Sequence, residues 1–313
     1  MLLRFLLPII FACSFFACRQ NPKEQYLFIG HAYDWKAPAG NRVDPRIAAL
    51  DLSKFDMLWL GGDICSRTSE RQSTLEYLDS LLHISSPTTL WAVGNHDLKN
   101  GTPHLIQQKT NRPLSYATHH KGITCLILNT NLGHPQLTAI DSSLLCQQLN
   151  RQYKTLQNVA DTIRQSSYLI LLHHHALLSD GIAKGTVDLK AQWHYVLPQL
   201  RFSCTPNGSF EELAYPLLVD IQNKGIQVIL VGGDIGQRAK KFAFQSNEGI
   251  WFLGSGINNS MDPRYVPEYV TNQNPDSLLT FEYDLKNKKL TWYFWELPQS
   301  HVKAIHQLPQ QDK

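Results

Sequence analysis

The feature that most constrains this chain is a recurring pair: a short apolar run, then at once a turn of polar or ionisable residues, often with glycine. It occurs at residues 25–29 before Gly30-His31, at 57–60 before Gly61-Gly62-Asp63, and at 88–93 before Gly94-Asn95-His96-Asp97. It returns at 123–128 before Asn129-Thr130-Asn131, at 168–172 before His173-His174-His175, and at 228–231 before Gly232-Gly233-Asp234. Short apolar runs bounded by turn residues are strands buried on both faces. Helical patterns lie between them. Asp44-Pro45 opens one, with Pro in the favoured first turn. Residues 69–82 place Leu75, Leu78 and Leu82 on one face, 142–163 form the longest pattern, and 211–223 a further one. Alternating strand and helix is an α/β architecture. Beyond Asp234 the pattern becomes strand only, at 242–244, 250–253, 278–283 and 290–295, with a hairpin turn over 284–289. The aromatics Trp292, Tyr293, Phe294 and Trp295 alternate along the last strand and are expected to pack against the sheet.

With 313 residues and 43% hydrophobic content, the chain can bury a full core without covalent staples. The net charge is only +3 and no long Lys/Arg block occurs, so no nucleic-acid-binding patch is expected. The N-terminus stands apart. Met1–Arg4 is a short basic start, and residues 5–16 are apolar but fewer than the about 20 needed to span a bilayer. That order is the order of a secretory signal. Ala17-Cys18 followed by a polar stretch resembles a bacterial lipobox, with Phe16 where Leu is usual. The resemblance implies a signal peptide over 1–18, Cys18 as the lipidated residue, a linker over 19–24 and one domain over 25–313. The protein would then sit at the cell envelope, held on a membrane by its acyl chains, with Arg19 pointing to the outer membrane. The alternative is a plain signal peptide cut near the same place and a secreted protein. Cys65, Cys125, Cys146 and Cys204 show no C-x-x-C spacing and read as buried thiols, with room for one disulfide in an oxidising compartment.

The ionisable residues cluster at the strand ends. His31, Asp63, Asn95, His96, Asp97, His173 and Asp234 all follow apolar runs, and in an open α/β sheet that edge binds ligands. Imidazole, amide and carboxylate donors suit Zn, Mn or Fe. The chain contains no G-x-S-x-G, no P-loop and no G-x-G-x-x-G.

Gly62-Asp63 after one strand, Gly94-Asn95-His96-Asp97 after the next and His173 after a later one resemble the calcineurin-like metallophosphoesterases. The resemblance implies a two-layer β sandwich flanked by helices, with a two-metal site at the carboxyl ends of the strands. It implies that Asp63 bridges the metals and that Asn95, His173 and Asp234 complete one pocket, with His174 as the alternate to His173. It implies that His96 protonates or steers the leaving oxygen, with Asp97 orienting its ring. Arg67, four residues past Asp63, would reach a phosphate oxygen, and Asn131 and His134 would line the pocket. Two motifs are altered. Where the family has D-x-H this chain has His31-Ala32-Tyr33, with Asp34 as a shifted option; where it has G-H-x-H this chain has Gly233-Asp234-Ile235-Gly236. His31, with Tyr33 or Asp34, is what remains for the first metal. The implied cofactor is therefore one tightly bound divalent ion, with a second site weak or empty. The implied activity is hydrolysis of a phosphate mono- or diester by a metal-activated water. The alternative is a catalytically reduced binding module of the envelope.

Overall fold

The computed structural model describes residues 23–132, 141–177, 203–205, 208–234, 241–257 and 275–298. The signal segment with Cys18, most of the linker, His134 and Gly236 lie outside the described residues.

Two sheets face one another. In the first, β1 (Lys23–Ile29), β2 (Met57–Leu60) and β3 (Thr89–Trp91) run parallel, and β12 (Ser277–Asp284) and β13 (Lys289–Glu296) extend it antiparallel, in the order β13-β12-β1-β2-β3. The second contains β4 (Tyr116–His120), β5 (Ile123–Ile127), β6 (Tyr168–His173), β9 (Gln227–Gly232), β10 (Lys241–Gln245) and β11 (Trp251–Ser255), in the order β10-β11-β9-β6-β5-β4. A small ribbon pairs β7 (Ser203–Thr205) with β8 (Gly208–Ser209).

Strand alternation builds three apolar layers. Tyr26, Phe28, Trp59, Ile170, Leu172, Ile229, Val231 and Phe281 point between the sheets. Leu27, Ile29, Leu58 and Leu60 point outward with Leu75, Leu78 and Leu82 of α2 (Gln72–Leu82); α1 (Pro45–Ala48) lies on the same side through Ile47. Leu169, Leu171, Val228 and Leu230 point out on the other side, with Leu145, Leu149 and Leu156 of α5 (Ser142–Thr162) and Leu218 of the helix Phe210–Asn223. This is the metallophosphoesterase-type sandwich of two mixed sheets flanked by helices. Strands such as β2, β6 and β9 are buried on both faces, which is why the sequence reads there as runs rather than as alternation.

Local chemistry sets the helix ends. Asp141 accepts from the Ser143 N–H at 2.7 Å at the start of α5, and Thr102 accepts from the His104 N–H at 3.1 Å at the start of α4 (Pro103–Thr110). His83 and Asn111 close α2 and α4 in the left-handed conformation.

Several boundaries differ from expectation. The pattern over 69–82 divides into a 3₁₀ turn, Thr68–Glu70, and α2, because Arg71 between them is extended and the Thr68 hydroxyl is taken by Asp97 at 2.7 Å. β1 begins at Lys23, inside the expected linker, because Glu24 turns inward to the Tyr26 hydroxyl, His120 and Lys121. β4 carries no apolar run and had no expectation; it is an edge strand of half-buried and exposed residues. The aromatic tail packs as expected, with Trp292 5.0 Å from Trp251 across the two sheets. Cys146 and Cys204 form a disulfide joining α5 to β7, while Cys65 and Cys125 are buried thiols.

Candidate metal centre

The parallel strands β1, β2, β3, β6 and β9 end at one edge, so the turns that follow them meet there. Their approach requires glycine. A Cβ on Gly233 would lie 1.8 Å from the Gly61 carbonyl oxygen, and one on Gly94 would lie 2.1 Å from Asp63 Oδ1. Two donors at this edge hold strained backbones: His31 and Asp63 both have φ of 54°. The left-handed region is uncommon for residues with a Cβ and costs on the order of 1–3 kcal/mol unless the surroundings impose it.

Asp97 imposes it at Asp63. Its Oδ2 accepts from the Asp63 and Gly94 N–H groups, both at 2.8 Å, and from Trp91 Nε1 at 3.3 Å. Its Oδ1 accepts from the Ile64 N–H at 3.0 Å and from the Thr68 hydroxyl at 2.7 Å. This corrects the role the resemblance implied, because the carboxylate is consumed by these donors and not by the His96 ring. The ring of His96 is set by Ser66 instead, whose carbonyl oxygen is 3.3 Å from Nδ1. A carbonyl only accepts, so Nδ1 carries the proton and Nε2 is left for other work. The His96 N–H donates to Asp63 Oδ1 at 2.8 Å.

Asp63 lies at the middle of the cluster. Its Oδ2 is 3.3 Å from His31 Nε2 and 3.4 Å from His174 Nε2, and Asp234 Oδ1 is 3.7 Å from His31 Nε2. His174, His175 and Asp234 each place a donor atom within 4.8 Å of the others. His175 Nε2 is 3.1 Å from Asn95 Oδ1, and Thr130 Oγ1 is 3.2 Å from His175 Nδ1. His31, Asp63, Asn95 and Asp234 are therefore brought together as expected from their positions.

Of the histidine triplet, it is the alternate, His174, and not His173 that faces Asp63. Leu169 and Leu171 face α5 while Ile170 and Leu172 face between the sheets. Alternation carries His173 outward, where its Nδ1 meets the His175 carbonyl oxygen at 2.8 Å, and carries His174 inward beside Asp63. His174 Nδ1 lies 2.7 Å from the Gly61 carbonyl oxygen, the outer contact that fixes the tautomer of a ligating histidine.

The other expected residues fall around this cluster. Tyr33 is buried and its ring lies 4.9 Å from that of His31 and 5.1 Å from that of His96. Asp34 is not among the donors: its Oδ1 accepts from the Lys36 N–H at 2.9 Å and closes a turn. Arg67 is half exposed and pairs with Glu70 at 3.8 Å, a local contact outside the cluster. Asn131 is buried and donates from Nδ2 to the Val93 carbonyl oxygen at 2.6 Å, bracing the turn before Gly94. Sequence reasoning missed His175, Thr130 and Trp35, whose ring stacks 5.5 Å from His31. The only signal for His175 was its place in the triplet, and Thr130 and Trp35 carried none.

Electrostatics fit a cation at this edge. Burial acts to raise Asp63, but the neighbouring His174 and His96 overcome it and hold the carboxyl well below its usual range. His174 is pushed up to about 9: burial opposes the shift, and Asp63 and Asp234 overcome it. Burial drives His31 down to about 3 and His173 to about 4. Asp234 is raised, by burial first and then by Asp63. A buried carboxylate paired with an imidazole that takes a proton is a place where positive charge is stabilised. Ligand atoms about 2.0–2.2 Å from one tetrahedral ion lie about 3.4 Å from each other, so the His174, His175 and Asp234 donor atoms, within 4.8 Å of one another, would draw together around an ion. The donors present fit a divalent ion.

Residues 41–235, spanning all these turns but the first, match the calcineurin-like phosphoesterase family. The chain belongs to that family. Metal-dependent phosphoester hydrolysis is the general chemistry of the calcineurin-like phosphoesterases. Among solved structures, the chain is similar to GAP50, the anchor in the inner membrane complex of Plasmodium, at 11% identity and a TM-score of 0.46, over 90% of this chain and 93% of that one. It is also similar to the phosphopantetheinyl hydrolase PptH from Mycobacterium tuberculosis, at 12% identity and a TM-score of 0.42, over 80% of this chain and 95% of that one. Among curated proteins none matches the sequence.

Proposed function

We propose that this protein hydrolyses phosphate mono- or diesters at the cell envelope, with one tightly held divalent ion, Zn, Mn or Fe. The observation that carries the reading is the packing of His31 and His174 around Asp63 at 3.3 and 3.4 Å, with Asp234 3.7 Å from His31, at the common strand edge. Asp63, His174, His175 and Asp234 would hold the ion, with the Asn95 amide oxygen beside them. When bound, such an ion supplies Lewis acidity and an activated water.

The chain's own residues do the rest. Asp97 locks the turn that carries Asp63, and Gly94 lets the Asn95 turn approach it. His96 is anchored through Nδ1 on Ser66, so its Nε2 is the atom that delivers a proton to the leaving oxygen when the ring is cationic. Tyr33 and Trp35, with rings 4.4 Å apart, wall the side on which the altered D-x-H motif stands. Rings there in place of a carboxylate and an imidazole support a single ion rather than two.

The Cys146–Cys204 disulfide supports an oxidising compartment, and Ala17-Cys18 supports a lipid anchor there. Elemental analysis of purified protein should give about one divalent ion per chain. Such protein should turn over p-nitrophenyl phosphate or its bis ester. Two ions surviving dialysis against chelator would refute the single site, and metal-loaded protein inert toward both esters would establish the binding module instead. Cys18→Ala protein should lose labelled acyl chain and leave the membrane fraction; unchanged fractionation would refute the anchor.

A further inference from the structure

The metal donors follow the carboxyl ends of β1, β2, β3, β6 and β9, so the amino ends of these strands form the opposite pole of the sandwich. β12 ends and β13 begins there too, since Lys23 lies opposite Asp284 and Asp284 opposite Lys289. The two sheets are joined at this pole. The Tyr283 hydroxyl donates to the Lys121 carbonyl oxygen at 3.0 Å, the Leu290 N–H donates to the Tyr168 hydroxyl at 2.9 Å, and Lys121 reaches Glu24. The 284–289 hairpin, the 121–122 turn and the start of β1 are therefore one surface, and every turn around it lies among the described residues.

Lys23, Lys121, Lys286, Lys288 and Lys289 are all exposed on this surface. The carboxylates among them are turned inward or already engaged. Glu24 and Glu282 keep 9 and 15% of their side-chain exposure, against 51 and 48% for the lysines they pair with, Lys121 and Lys23. Asp284 accepts from the Lys286 and Asn287 N–H groups at 3.0 and 2.9 Å and from Asn287 Nδ2 at 2.8 Å. Lys286, Lys288 and Lys289 have no ion-pair partner among the described residues. On the turn before β2, Asp51 faces Lys54 at 3.6 Å and Asp56 accepts from the Gln25 N–H at 2.8 Å. Negative charge laid against the hairpin side of the pole thus meets ammonium groups first. The N-terminal segment joins the domain at the same place. Cys18 lies five residues before Lys23, so an acyl chain on it would hold this pole within about 18 Å of a bilayer. β1, seven residues long, sets the metal edge about 20 Å from the pole.

We propose that this pole is a docking face for a bilayer of anionic phospholipid, with its lysines resting on the headgroup phosphates. The proposal rests on the anchored envelope reading for the acyl chain at Cys18; the lysines add the orientation that an acyl chain alone leaves free. So docked, the metal centre faces water about 20 Å above the headgroups, and it takes esters from solution rather than those of the bilayer it rests on.

Full-chain protein is added to vesicles of phosphatidylcholine alone and to vesicles of an equimolar mixture with phosphatidylglycerol. Hydrogen exchange should slow in residues 121–122 and 284–289 on the anionic vesicles and not on the neutral ones, with no change at residues 61–65 or in α3 (Asn95–Leu98) at the metal edge. Slowing at the metal edge, equal slowing on both vesicles, or none on either would overturn the proposal. Cys18→Ala protein, which has no acyl chain, isolates the lysines in a sedimentation assay. Each lysine at an anionic surface is worth about fivefold in binding, so replacing Lys286, Lys288 and Lys289 together with Gln should lower the preference for anionic over neutral vesicles about 10²-fold. High salt should abolish that preference. Arg151→Gln with Lys154→Gln, exposed on α5, should leave it unchanged. A preference that the triple variant keeps, or that the α5 variant loses equally, would overturn the docking face. This readout needs neither acylation nor turnover, so it stands apart from failure of the anchor or of the hydrolase. Circular dichroism confirms that each variant is folded.

Discussion

Replacing Asp97 with Ala separates two roles that its place in the sequence leaves mixed. If Asp97 orients the His96 ring, its loss is a catalytic defect in a stable protein. If it clamps the Asp63 turn, its loss is a folding defect that carries the metal with it. The structure supports the clamp. Removal leaves the N–H groups of Asp63, Ile64 and Gly94 buried without acceptors, while the Thr68 hydroxyl still reaches the Cys65 carbonyl oxygen at 3.1 Å. Each orphaned N–H costs about 1–3 kcal/mol. Losses within one network do not add, and removing a buried carboxylate next to Asp63 returns part of the cost. A loss of about 3–5 kcal/mol follows, in the upper tail of single substitutions. Asp97→Asn keeps one accepting oxygen but turns an NH₂ toward the remaining donors, so it should fall between, at about 2 kcal/mol. Urea unfolding followed by circular dichroism gives the stability, and elemental analysis gives the metal retained. An Asp97→Ala protein within about 1 kcal/mol of wild type, fully metal-loaded and as slow as His96→Ala, would refute the clamp.

On the proposed mechanism, in which Nε2 serves the leaving oxygen and not the ion, His96→Ala should lower kcat by about 10²–10⁴ with metal content unchanged; loss of metal with activity would make it a ligand. Asp234→Ala should release the tight ion and Tyr33→Phe should retain it, read by metal content after dialysis. Arg46 joins Asp44 at 2.8 Å and Asp276 at 2.6 Å in a buried triad, so Arg46→Met should cost about 3–5 kcal/mol in urea by removing the guanidinium that offsets both buried carboxylates. Glu24 is held below its ordinary 4.5: burial pushes it up, and Lys121, Tyr26 and His120 more than offset that. A lowered carboxyl gives stability that is complete above the unfolded pKa and lost as pH falls through the folded one. Glu24→Gln should therefore be about 1 kcal/mol less stable at pH 7, and the gap should close as pH falls below 4.5; a gap that persists there would refute the ionic contribution.

What the sequence made legible, and what it hid, follows from where each signal resides. Strands such as β2, β6 and β9 were visible because burial on both faces makes them continuous apolar runs. The same property hid the register of the triplet: with Leu169 and Ile170 equally apolar, nothing in the run tells which face His173 shares. β4 was hidden because an edge strand with His119 and His120 has no apolar period to read. The donors His31, Asp63, Asn95 and Asp234 were legible because each ends a strand, and parallel strands bring their ends together. The work of Asp97 was not, because its donors Asp63 and Ile64 arrive from a turn 34 and 33 residues away. Cysteine spacing likewise left open which pair would join, and the contact between α5 and β7 decided it.

The altered motifs gain meaning from what stayed beside them. A scaffold kept only for its shape has no use for Gly233 packed against the Gly61 carbonyl, or for left-handed backbones at His31 and Asp63. Such strain adds nothing to folding and persists only where the surroundings enforce it. Here both strained residues present donors to one cluster, and one of them is locked by a carboxylate that has no other contact with the chemistry. The lost D-x-H, by contrast, was filled: the His31 ring stacks between His174 at 6.2 Å and Trp35 at 5.5 Å, and Tyr33 leans on His96. Those rings cover His31, which is buried, and Tyr33 lies beside the His96 ring. Strain thus falls both on the altered motif, at His31, and on the Asp63 turn, and the two meet at 3.3 Å.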